Sequence, residues 1–441
     1  MSLDHEKLSA VAQEMMSGSV VSVAGKTVKV ERTGAQKLRT VRFEVDGREY
    51  QMIEQNPEKP SRWGKLARDG HQVRVLEKAA QFAELGAGLQ LAPNATRVLA
   101  GLGVLGRVLE AGVRPRRLLL RSALTADELT ALDLGEPFLA RYAAPYVVMH
   151  RSDLLAILYD ACLAAGVGLQ ASKDVVAVTG DEGAAAAECA DGTSYQGAAL
   201  IAADGLHSGI RALFSADQPV CSGFAAYRGT ARIDEVTARS ELDEVVAWIG
   251  PDLHFVQYPL RAGQIYNQVA VFRSRRYAAD PGLADGEWGG PGELDEAFGP
   301  CCPQVREATG FLWRDRWWPM YDREPLAAWT RGRIALLGDA AHPMLQYLAQ
   351  GACQAIEDAD ALARALAGCP GPQLIGKALA GYQAERAAHA ARVQRTARTW
   401  GDIWHVSGVG ALLRDELFRR RPADDYSYTD WLYGGPPPRA L

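Results

Sequence analysis

The sequence predicts an α/β fold that carries an inserted, largely antiparallel sheet, and three observations predict it. From about Lys65 onward, helical segments rich in Ala and Leu alternate with short apolar strands, which is the pattern of βα units around a mainly parallel sheet. Between 243 and 273, the segments DEVVAWIG, LHFVQYPLR and IYNQVAVFR predict three consecutive antiparallel strands. Helical patterns return from residue 352. We therefore expect the antiparallel block to be inserted into one α/β domain.

The elements of the predicted α/β domain follow in order along the chain. Each strand is a short apolar run, and each helix is rich in Ala and Leu or has apolar residues at helical spacing. The predicted strands are HQVRVLEKA at 71–79, GAALIAADG at 197–205 and RGRIALLGDAAH at 331–342. The predicted helices are a helix–turn–helix at 94–112, followed by 152–166, 352–368 and 379–400.

Residues 1–64 differ from the rest of the chain in their pattern of residues. A short helix is expected over 5–16, and the alternation in VVSVAGKTVKVER predicts strands. The turn Asp46-Gly47, between RTVRFEV and REYQMIE, predicts a β-hairpin. The run EQNPEKPSRWG contains two prolines and predicts a linker. We expect a small α+β module that is foreign to the domain that follows it.

Composition excludes several classes of protein. The 441 residues are enough for two or three domains of roughly 150 residues each. The formal net charge of −5, from 48 basic and 53 acidic residues, argues against a general nucleic-acid binder. No apolar run approaches the roughly 20 residues of a membrane span, and MSLDHEKLSA lacks the pattern of a secretion signal, so a cytoplasmic protein is expected. Seven scattered cysteines without C-x-x-C indicate reduced thiols, mostly in the core, rather than a metal site or disulfides.

One motif is decisive for function, the run RIALLGDAAHPMLQYLAQGACQAIEDADALARAL at 333–366. A buried strand delivers Gly338 and Asp339 to the carboxyl edge of a sheet, where α/β proteins usually bind ligands. Asp339 can accept hydrogen bonds from sugar-like hydroxyls, and the exposed N–H groups beside Gly351, at a helix start, can hold an anionic or electron-rich ligand edge. An isolated Gly-Asp would indicate only a capped turn, but the 34-residue context favours a binding site.

A family resemblance is carried by the run GDAAHPMLQYLAQGACQAIEDA. It resembles the second flavin-binding signature of the single-component aromatic hydroxylases, the family of salicylate and p-hydroxybenzoate hydroxylases. The match covers about 65–435 and includes HRSDLL, ADGLHSGIR, AYRG and WGDIWHVSGV. Within the family, RDRWWPMYDREP followed by the same run is most similar to members that convert 3-hydroxybenzoate to gentisate.

The resemblance implies a domain organisation and an activity. A Rossmann-like FAD-binding domain is expected from 65–215 and 325–400, a substrate domain from 216–324, and a C-terminal helix and tail from 401–441. The implied reaction hydroxylates a hydroxybenzoate-type ring with O2 and NADH or NADPH through a C4a-hydroperoxyflavin. That species is an electrophile, so a base must first deprotonate the phenol. The expected partners are a small aromatic acid and O2, with no nucleic acid, no membrane span and a possible homodimer.

The resemblance also assigns residues to the cofactor FAD. By itself, each of them is compatible with an ordinary surface charge, turn or loop. The family pattern places Glu77 on the adenosine ribose, Arg151 near the flavin phosphates, Asp204 with Gly205 at the pyrophosphate and nicotinamide, Gly338 and Asp339 at the ribityl chain, and Gly351 with Ala352 beside the isoalloxazine ring.

Three further residues are candidates for catalysis. His254 and Tyr258 are four positions apart in a predicted strand, so their side chains point to the same side of the sheet. The resemblance places such a pair at the ring-binding site, where a histidine can take the phenol proton. It places Gln346 beside the substrate. The alternatives are a sheet histidine beside a core tyrosine, and a loop amide bonded to its own backbone.

The chain departs from the family at its first phosphate-binding loop. Members begin with a strand and G-x-G-x-x-G, but no glycine lies between Gly47 and Gly64. The string GLGVLG at 101–106 follows the helix-like NATRVLA and predicts only a turn between helices. We expect a missing first strand, exposed sheet edges and weak FAD binding. Two alternatives remain: an inactive remnant in which 1–64 has a binding role, and a flavin enzyme that dehydrogenates or epoxidises.

Overall fold

The computed structural model describes the strands between residues 20 and 55, and residues 71–434 apart from 83–87, 182, 237–241, 368 and 370. The chain forms two compact units, Met1–Pro60 and Ser61–Leu441. Among the described residues, no helix is both long enough and apolar enough to cross a membrane. All seven cysteines are free thiols and four are buried, which confirms that most lie in the core.

The strands of the described chain are β1 Val20–Val23, β2 Lys26–Thr33, β3 Leu38–Val45, β4 Arg48–Gln55, β5 Arg74–Leu76, β6 Gly88–Leu91, β7 Arg117–Ser122, β8 Glu128–Asp133, β9 Val147–His150, β10 Gly168–Gln170, β11 Val175–Gly180, β12 Ala185–Cys189, β13 Ser194–Gly197, β14 Leu200–Ala202, β15 Val220–Arg232, β16 Val245–Gly250, β17 Leu253–Leu260, β18 Ile265–Arg273, β19 Trp318–Asp322, β20 Thr330–Arg331 and β21 Ile334–Leu336. The α-helices are α1 Pro93–Gly101, α2 Leu105–Ala111, α3 Glu136–Tyr142, α4 Arg151–Ala164, α5 Arg275–Ala279, α6 Pro291–Phe298, α7 Pro303–Ala308, α8 Gly351–Ala367, α9 Ile375–His405, α10 Gly408–Arg419 and α11 Asp430–Tyr433.

The first unit contains a four-stranded sheet in the order β1-β2-β3-β4, with neighbouring strands antiparallel. Val45 pairs with Arg48 across the β3–β4 connection, as a two-residue hairpin loop requires. The predicted Asp46-Gly47 turn itself, the helix over 5–16 and the linker lie outside the described residues.

The second unit is built around a seven-stranded mixed sheet in the order β19-β15-β18-β17-β16-β7-β8. The strands β16, β17 and β18 are consecutive and antiparallel, which confirms the prediction for 243–273. β7 joins β16 in parallel. Because β7 and β8 come from 117–133, the sheet draws on the chain outside 216–324. One face of this sheet contributes Phe255 and Phe272 to a buried cluster that also contains Trp288.

The other parallel strand pairs of the described chain lie in two separate small sheets. β14 is parallel to β21, which is antiparallel to β20, and the core beside them contains residues of α8 and α9. β5 is parallel to β10, and Val75 of β5 is 38% exposed. Among the described residues no strand connects β5 to β14. The predicted loss of the first strand stays a prediction, because the chain just before Leu66 lies outside the described residues.

The glycine-rich string at 101–106 is a turn between helices, as predicted. α1 ends at Gly101 and α2 begins at Leu105. Gly103 has a φ of +75°, a left-handed conformation that glycine adopts without steric cost.

Helix α9 is the longest element of the described chain, with 31 residues. Its buried residues recur at helical spacing, from Ile375 and Tyr382 to Trp404 and His405. Near its start, the Tyr382 hydroxyl donates to the carbonyl of Leu336 in β21, at 3.0 Å. At its end, His405 contacts β17. The helix therefore connects the β14–β21 sheet with the seven-stranded sheet.

Candidate active site

The turn after β21 is fixed by a glycine. Gly338 has a φ of +60°, and a Cβ there would lie 3.2 Å from the Cβ of Ala355 in α8. The N–H of Gly338 donates to the buried carboxylate of Asp358, at 3.1 Å. A larger residue would strain the turn and push α8 away, so the glycine sets the direction in which Asp339 leaves the strand.

Asp339 lines a cleft beside the start of α8. Its side chain is accessible to solvent, yet the enclosing protein raises the pKa of its carboxyl, an effect that the charges of His342 and Arg151 oppose. A Cβ at Gly351 would lie 3.9 Å from Oδ1 of Asp339. The carboxylate and the first N–H groups of α8, at Gly351 and Ala352, therefore face the same space, where the positive end of the helix favours electron-rich groups.

Arg151 shares this cleft. It is the first residue of α4 and directly follows β9. Its charge acts on the carboxyl of Asp339 and on the hydroxyl of Tyr258. The structure therefore brings two predicted residues from different elements, Asp339 and Tyr258, within electrostatic range of a third, Arg151.

Asp204 lies at the same edge of the small parallel sheet. It follows β14, which runs parallel to β21, and the N–H of Leu337 donates to the carbonyl of Ala202 at 2.9 Å. Gly205 has a φ of +82°. Since the carboxyl ends of parallel neighbours meet at one edge, Asp204 and Asp339 leave the sheet on the same side.

Glu77 stands apart from these residues. It follows β5, whose sheet in the described chain contains only β10. Its Oε1 accepts a hydrogen bond from the N–H of Ala79 at 2.8 Å, so the half-buried carboxylate caps its own turn. Among the described residues, no contact joins Glu77 to Asp339.

His254 is buried in the seven-stranded sheet, with 1% of its surface exposed. Its Nδ1 lies 2.9 Å from Nε2 of His405, and its ring meets that of Tyr347 edge-on at 5.4 Å. Burial, and then the neighbouring His405, lower the pKa of His254 well below its usual value. The imidazole is therefore neutral at pH 7 and has a lone pair that can accept a proton, although the same burial makes it a weaker base than an exposed histidine.

Tyr258 marks the other end of the same sheet face. Four residues of strand separate it from His254 by roughly 13 Å, and Val256 between them packs on both flanking clusters. A Cβ at Gly88 would lie 2.5 Å from the Tyr258 ring, so only glycine admits the ring there. Burial raises the pKa of Tyr258 although the charges of Arg228 and Arg151 oppose the shift. Its hydroxyl stays protonated.

Gln346 lies in the loop that joins Asp339 to α8. It opens a short 3-10 turn, Gln346–Leu348, and its carbonyl accepts from the N–H of Ala349 at 2.9 Å. The next residue, Tyr347, contacts the rings of both His254 and His405. Gln346 is therefore adjacent in sequence to a residue that touches the candidate base.

A buried ionic cluster behind the Gly338–Asp339 turn was not predicted from the sequence. Asp358 of α8 lies 2.5 Å from Nε2 of His342 and 2.7 Å from Nε of Arg386. Burial alone would raise the pKa of Asp358, but His342 and Arg386 lower it to about 2. The cluster ties the turn to α8 and α9. Its only signal in the sequence is the acidic pair inside the run QAIEDA.

A second support comes from Arg211, also missed, although ADGLHSGIR contains it. Its Nη1 donates to the carbonyls of Ala340 and Ala341, at 3.1 and 2.7 Å. Asp217 accepts from the same guanidinium at 3.0 Å. The Asp339 turn is thus held from both sides by buried arginines, Arg211 and Arg386.

Two buried polar atoms beside α8 fit a polar ligand edge. Oδ1 of Asn94 and Nε2 of Gln350 have no hydrogen-bond partner within the described chain, while Nδ2 of Asn94 donates to Oε1 of Gln350 at 2.9 Å. Buried polar atoms are normally paired. With the Asp339 carboxylate and the N–H groups of Gly351 and Ala352 nearby, these atoms suit the hydroxyls and ring edge of FAD.

Comparisons with known proteins agree with this arrangement. Residues 64–397 match the family model described as "FAD binding domain". The chain is 35% identical over 371 residues to 3-hydroxybenzoate 6-hydroxylase of Polaromonas naphthalenivorans (strain CJ2), covering 84% of this chain and 91% of that protein. It is 37% identical over 376 residues to 3-hydroxybenzoate 6-hydroxylase 1 of Aquipseudomonas alcaligenes, covering 84% and 93%.

Solved structures share the fold. A salicylate hydroxylase substrate complex superposes with a TM-score of 0.69 at 24% identity, covering 85% of this chain and 92% of that one. A single-residue variant of Klebsiella pneumoniae HpxO complexed with FAD gives a TM-score of 0.73 at 24% identity, covering 85% and 96%. The predicted α/β fold is confirmed.

Proposed function

The chain belongs to the FAD-dependent aromatic hydroxylases, and on that premise we propose that it hydroxylates a hydroxybenzoate-type ring, such as 3-hydroxybenzoate to gentisate. One observation carries the proposal: a single loop, 338–351, connects the Asp339 cleft to Gln346 and Tyr347 beside a buried neutral histidine. A site that joins a cofactor cleft to a base suits hydroxylation of a phenol.

The residues of the cleft suit FAD in the way that the family pattern implies. Asp339, with Gly338 setting the turn, would hold the ribityl hydroxyls, and the N–H groups of Gly351 and Ala352 the ring edge. The remaining contacts are assigned to Arg151 and Asp204 near the phosphates and to Glu77 at the ribose. When bound, FAD takes electrons from NADH or NADPH and delivers one oxygen atom of O2 to the ring.

The protein's own residues bind and ionise the substrate. Neutral His254 takes the phenol proton, which makes the ring electron-rich. Gln346 hydrogen-bonds a phenol or carboxylate oxygen and fixes which carbon faces the flavin. Tyr258, whose pKa is raised by burial, remains a hydrogen-bond donor. The buried strands around these side chains keep water away from the reacting atoms.

Product analysis tests the proposal. The protein is incubated with FAD, NADH or NADPH, O2 and 3-hydroxybenzoate, and the products are separated by chromatography. We expect gentisate in proportion to the NAD(P)H consumed. Oxidation of NAD(P)H that yields only hydrogen peroxide with every hydroxybenzoate tested would overturn the proposal. Dehydrogenated or epoxidised products would favour the related flavin chemistry.

We also propose that the enzyme is a cytoplasmic homodimer. The compartment follows from its need for NAD(P)H. The dimer is supported by α10, where Val409, Leu412, Leu413 and Leu417 form one stripe and are 62–72% exposed. Exposed apolar stripes of this kind mark interfaces more often than free surface. Sedimentation velocity checks the state, and a monomer at micromolar concentration would contradict it.

A further inference from the structure

The structure pairs His254 with a second histidine that the sequence did not single out. His405 ends α9, 151 positions away along the chain, and its Nε2 lies 2.9 Å from Nδ1 of His254. The two ring planes are 20° apart and their centroids 5.1 Å apart, so the rings are nearly coplanar and meet edge to edge through these nitrogens. Both residues are buried, 1% and 9% exposed. The distance is that of a hydrogen bond between two imidazoles.

The pair lies in an aromatic enclosure. Phe224 stacks on His405, with centroids 4.6 Å apart. Tyr347 meets both imidazoles edge-on, at 5.4 and 5.3 Å, and Trp404 meets His254 at 5.2 Å. These rings fix both imidazole planes, so the hydrogen bond between them has little freedom to break.

No carboxylate pairs with either imidazole in the described part of the chain. The positive charge that acts on His405 belongs to Arg414 of α10, which donates to the carbonyl of Trp404 at 2.7 Å. Asp402 and Asp322 act on the neighbouring Tyr347, and Asp252 contributes only its backbone N–H, to the carbonyl of His405 at 3.2 Å. Burial, and then Arg414, lower the pKa of His405 to about 4.

Two neutral imidazoles in contact share one N–H, and its position decides what His254 can do. If Nδ1 of His254 carries the hydrogen, Nε2 has a lone pair and can accept a proton. If Nε2 of His405 carries it, His254 is protonated at its own Nε2 and cannot act as a base. The tautomer of one histidine is therefore set by the other.

We propose that His405 is a positioning residue that holds His254 in its Nδ1–H tautomer and carries the substrate's phenol proton away. The inference rests on the proposed function. In this relay, the phenol O–H bond breaks as a proton joins Nε2 of His254. The proton on Nδ1 of His254 then moves to Nε2 of His405, and His405 releases its Nδ1 proton to solvent. No electrons are transferred, and one proton leaves the site for each phenol ionised. The relay leaves Nε2 of His254 protonated. The reverse path resets the pair: the product phenolate takes that Nε2 proton, His405 returns its Nε2 proton to Nδ1 of His254, and His405 regains a proton from solvent at its own Nδ1.

The tautomer is measured without any turnover. Nitrogen-15 spectra of the histidine-labelled full chain, assigned with the single variants H254A and H405F, report which ring nitrogen carries hydrogen. We expect the Nδ1–H form at His254 and its loss in the His405→Phe variant. An Nε2–H form of His254 in the unaltered chain would overturn the inference. The tautomer can be measured whichever substrate the enzyme uses. A failure of this inference can therefore be told apart from a failure of the proposed function.

Kinetics separates a relay from simple packing. His405→Phe keeps a flat ring against Phe224 but removes both nitrogens. We expect kcat to fall about tenfold, less than for loss of the base itself, with KM changed less than twofold and an altered pH profile of kcat. His405→Gln, whose amide oxygen can still accept from Nδ1, should recover part of the loss.

Trp400→Phe provides the packing control. Trp400 is one turn before Trp404 on α9, and its ring is tilted by 56° against that of Trp404 with centroids 6.2 Å apart. No ring contact joins Trp400 to His254 among the described residues. We expect its pH profile to match that of the unaltered enzyme. Equal kcat and equal pH profiles in the His405→Phe variant and the unaltered enzyme would overturn the relay, as would equal losses in the His405→Phe and Trp400→Phe variants.

Discussion

His254 shows what a single residue can and cannot reveal in the sequence. Its place in a strand, on the same side as Tyr258, follows from the two-residue repeat of strands. Its burial, its lowered pKa and its contact with His405 do not, because they arise from packing between segments 151 positions apart. The resemblance supplied a role for His254, but only the structure supplied the partner that governs its protonation.

Replacing His254 with Ala removes the proposed base. Because Asp339, Arg151 and the start of α8 are untouched, we expect FAD to bind as in the unaltered protein. Hydroxylation should fall by around 10²-fold, the low end for a lost general base. Flavin content and gentisate formation are measured on the same preparation. Coupled product formation at an unchanged rate would contradict the role.

Gln346 is expected to orient the ring. In a Gln346→Leu variant the substrate loses a hydrogen bond but keeps its apolar surroundings. A misplaced ring receives oxygen less often, so hydrogen peroxide should rise relative to hydroxylated product. Peroxide and product are quantified against NAD(P)H consumed. A variant in which every NAD(P)H still gives product would show that Gln346 is an ordinary loop amide.

Asp358 predicts a pH dependence of stability. Its folded pKa of about 2 lies below the unfolded value of roughly 3.9, so the ionised form stabilises the fold. That contribution is complete above about pH 4 and is lost as pH falls towards 2. Asp358→Asn leaves Arg386 buried without its closest charge partner, which costs about 3–5 kcal/mol.

Denaturant unfolding at pH 7 and pH 3 tests the predicted stabilisation by ionised Asp358. The difference in free energy of unfolding between the unaltered protein and the Asp358→Asn variant should shrink at the lower pH. An exposed pair, Asp160 of α4 with Arg107 of α2, supplies the matched control. Asp160→Asn should change the free energy by less than about 1 kcal/mol. Similar losses in both variants would mean that the buried cluster does not stabilise the turn.

At the scale of elements, the sequence predicted local structure better than assembly. The helix–turn–helix at 94–112 and the three antiparallel strands at 243–273 follow from spacing within short segments. The pairing of β7 with β16 does not, since parallel neighbours can come from any distance along the chain. For the same reason, the sequence did not predict that α9 brings His405 to β17.

Substitution of Gly401 tests the contact between helix α9 and Tyr347 of the candidate active site. A Cβ there would lie 2.5 Å from Cε2 of Tyr347, the ring that touches both histidines. Gly401→Ala should therefore displace Tyr347, cost about 1–3 kcal/mol of stability and lower kcat. Gly381 lies on the same helix with nothing within 4 Å of its Cβ position. Gly381→Ala should instead gain about 0.5–1 kcal/mol. Equal effects of the two substitutions on thermal unfolding and kcat would contradict the packing argument.

For the whole molecule, the affinity for FAD depends on the glycine-rich loop that the sequence predicts to be missing. No glycine lies between Gly47 and Gly64, so we expect the pyrophosphate to lack the usual backbone donors, each worth roughly 1.5–3 kcal/mol. We expect the 441-residue chain to fold, to bind FAD weakly and to purify nearly colourless. Absorbance near 450 nm and a titration with FAD provide the measurement.

Replacing residues 1–64 with a strand and G-x-G-x-x-G should restore tight FAD binding and NAD(P)H oxidation. The unaltered chain assayed at saturating FAD is the control, because it separates weak binding from lost chemistry. A stoichiometric, tightly held FAD in the unaltered chain would contradict the prediction. Weak binding without any turnover at saturating FAD would favour the inactive remnant, with a binding role for 1–64.

Helix α9 has a consequence for how this chain can vary in length. Tyr382 near its start and His405 at its end serve two different sheets through one continuous helix. Inserting a single residue between them would rotate His405 by about 100° and shift it by about 1.5 Å relative to Tyr382. Substitutions on the solvent side of α9 should be tolerated, whereas inserting or deleting one residue between Tyr382 and His405 would change how the two contact residues are oriented relative to each other.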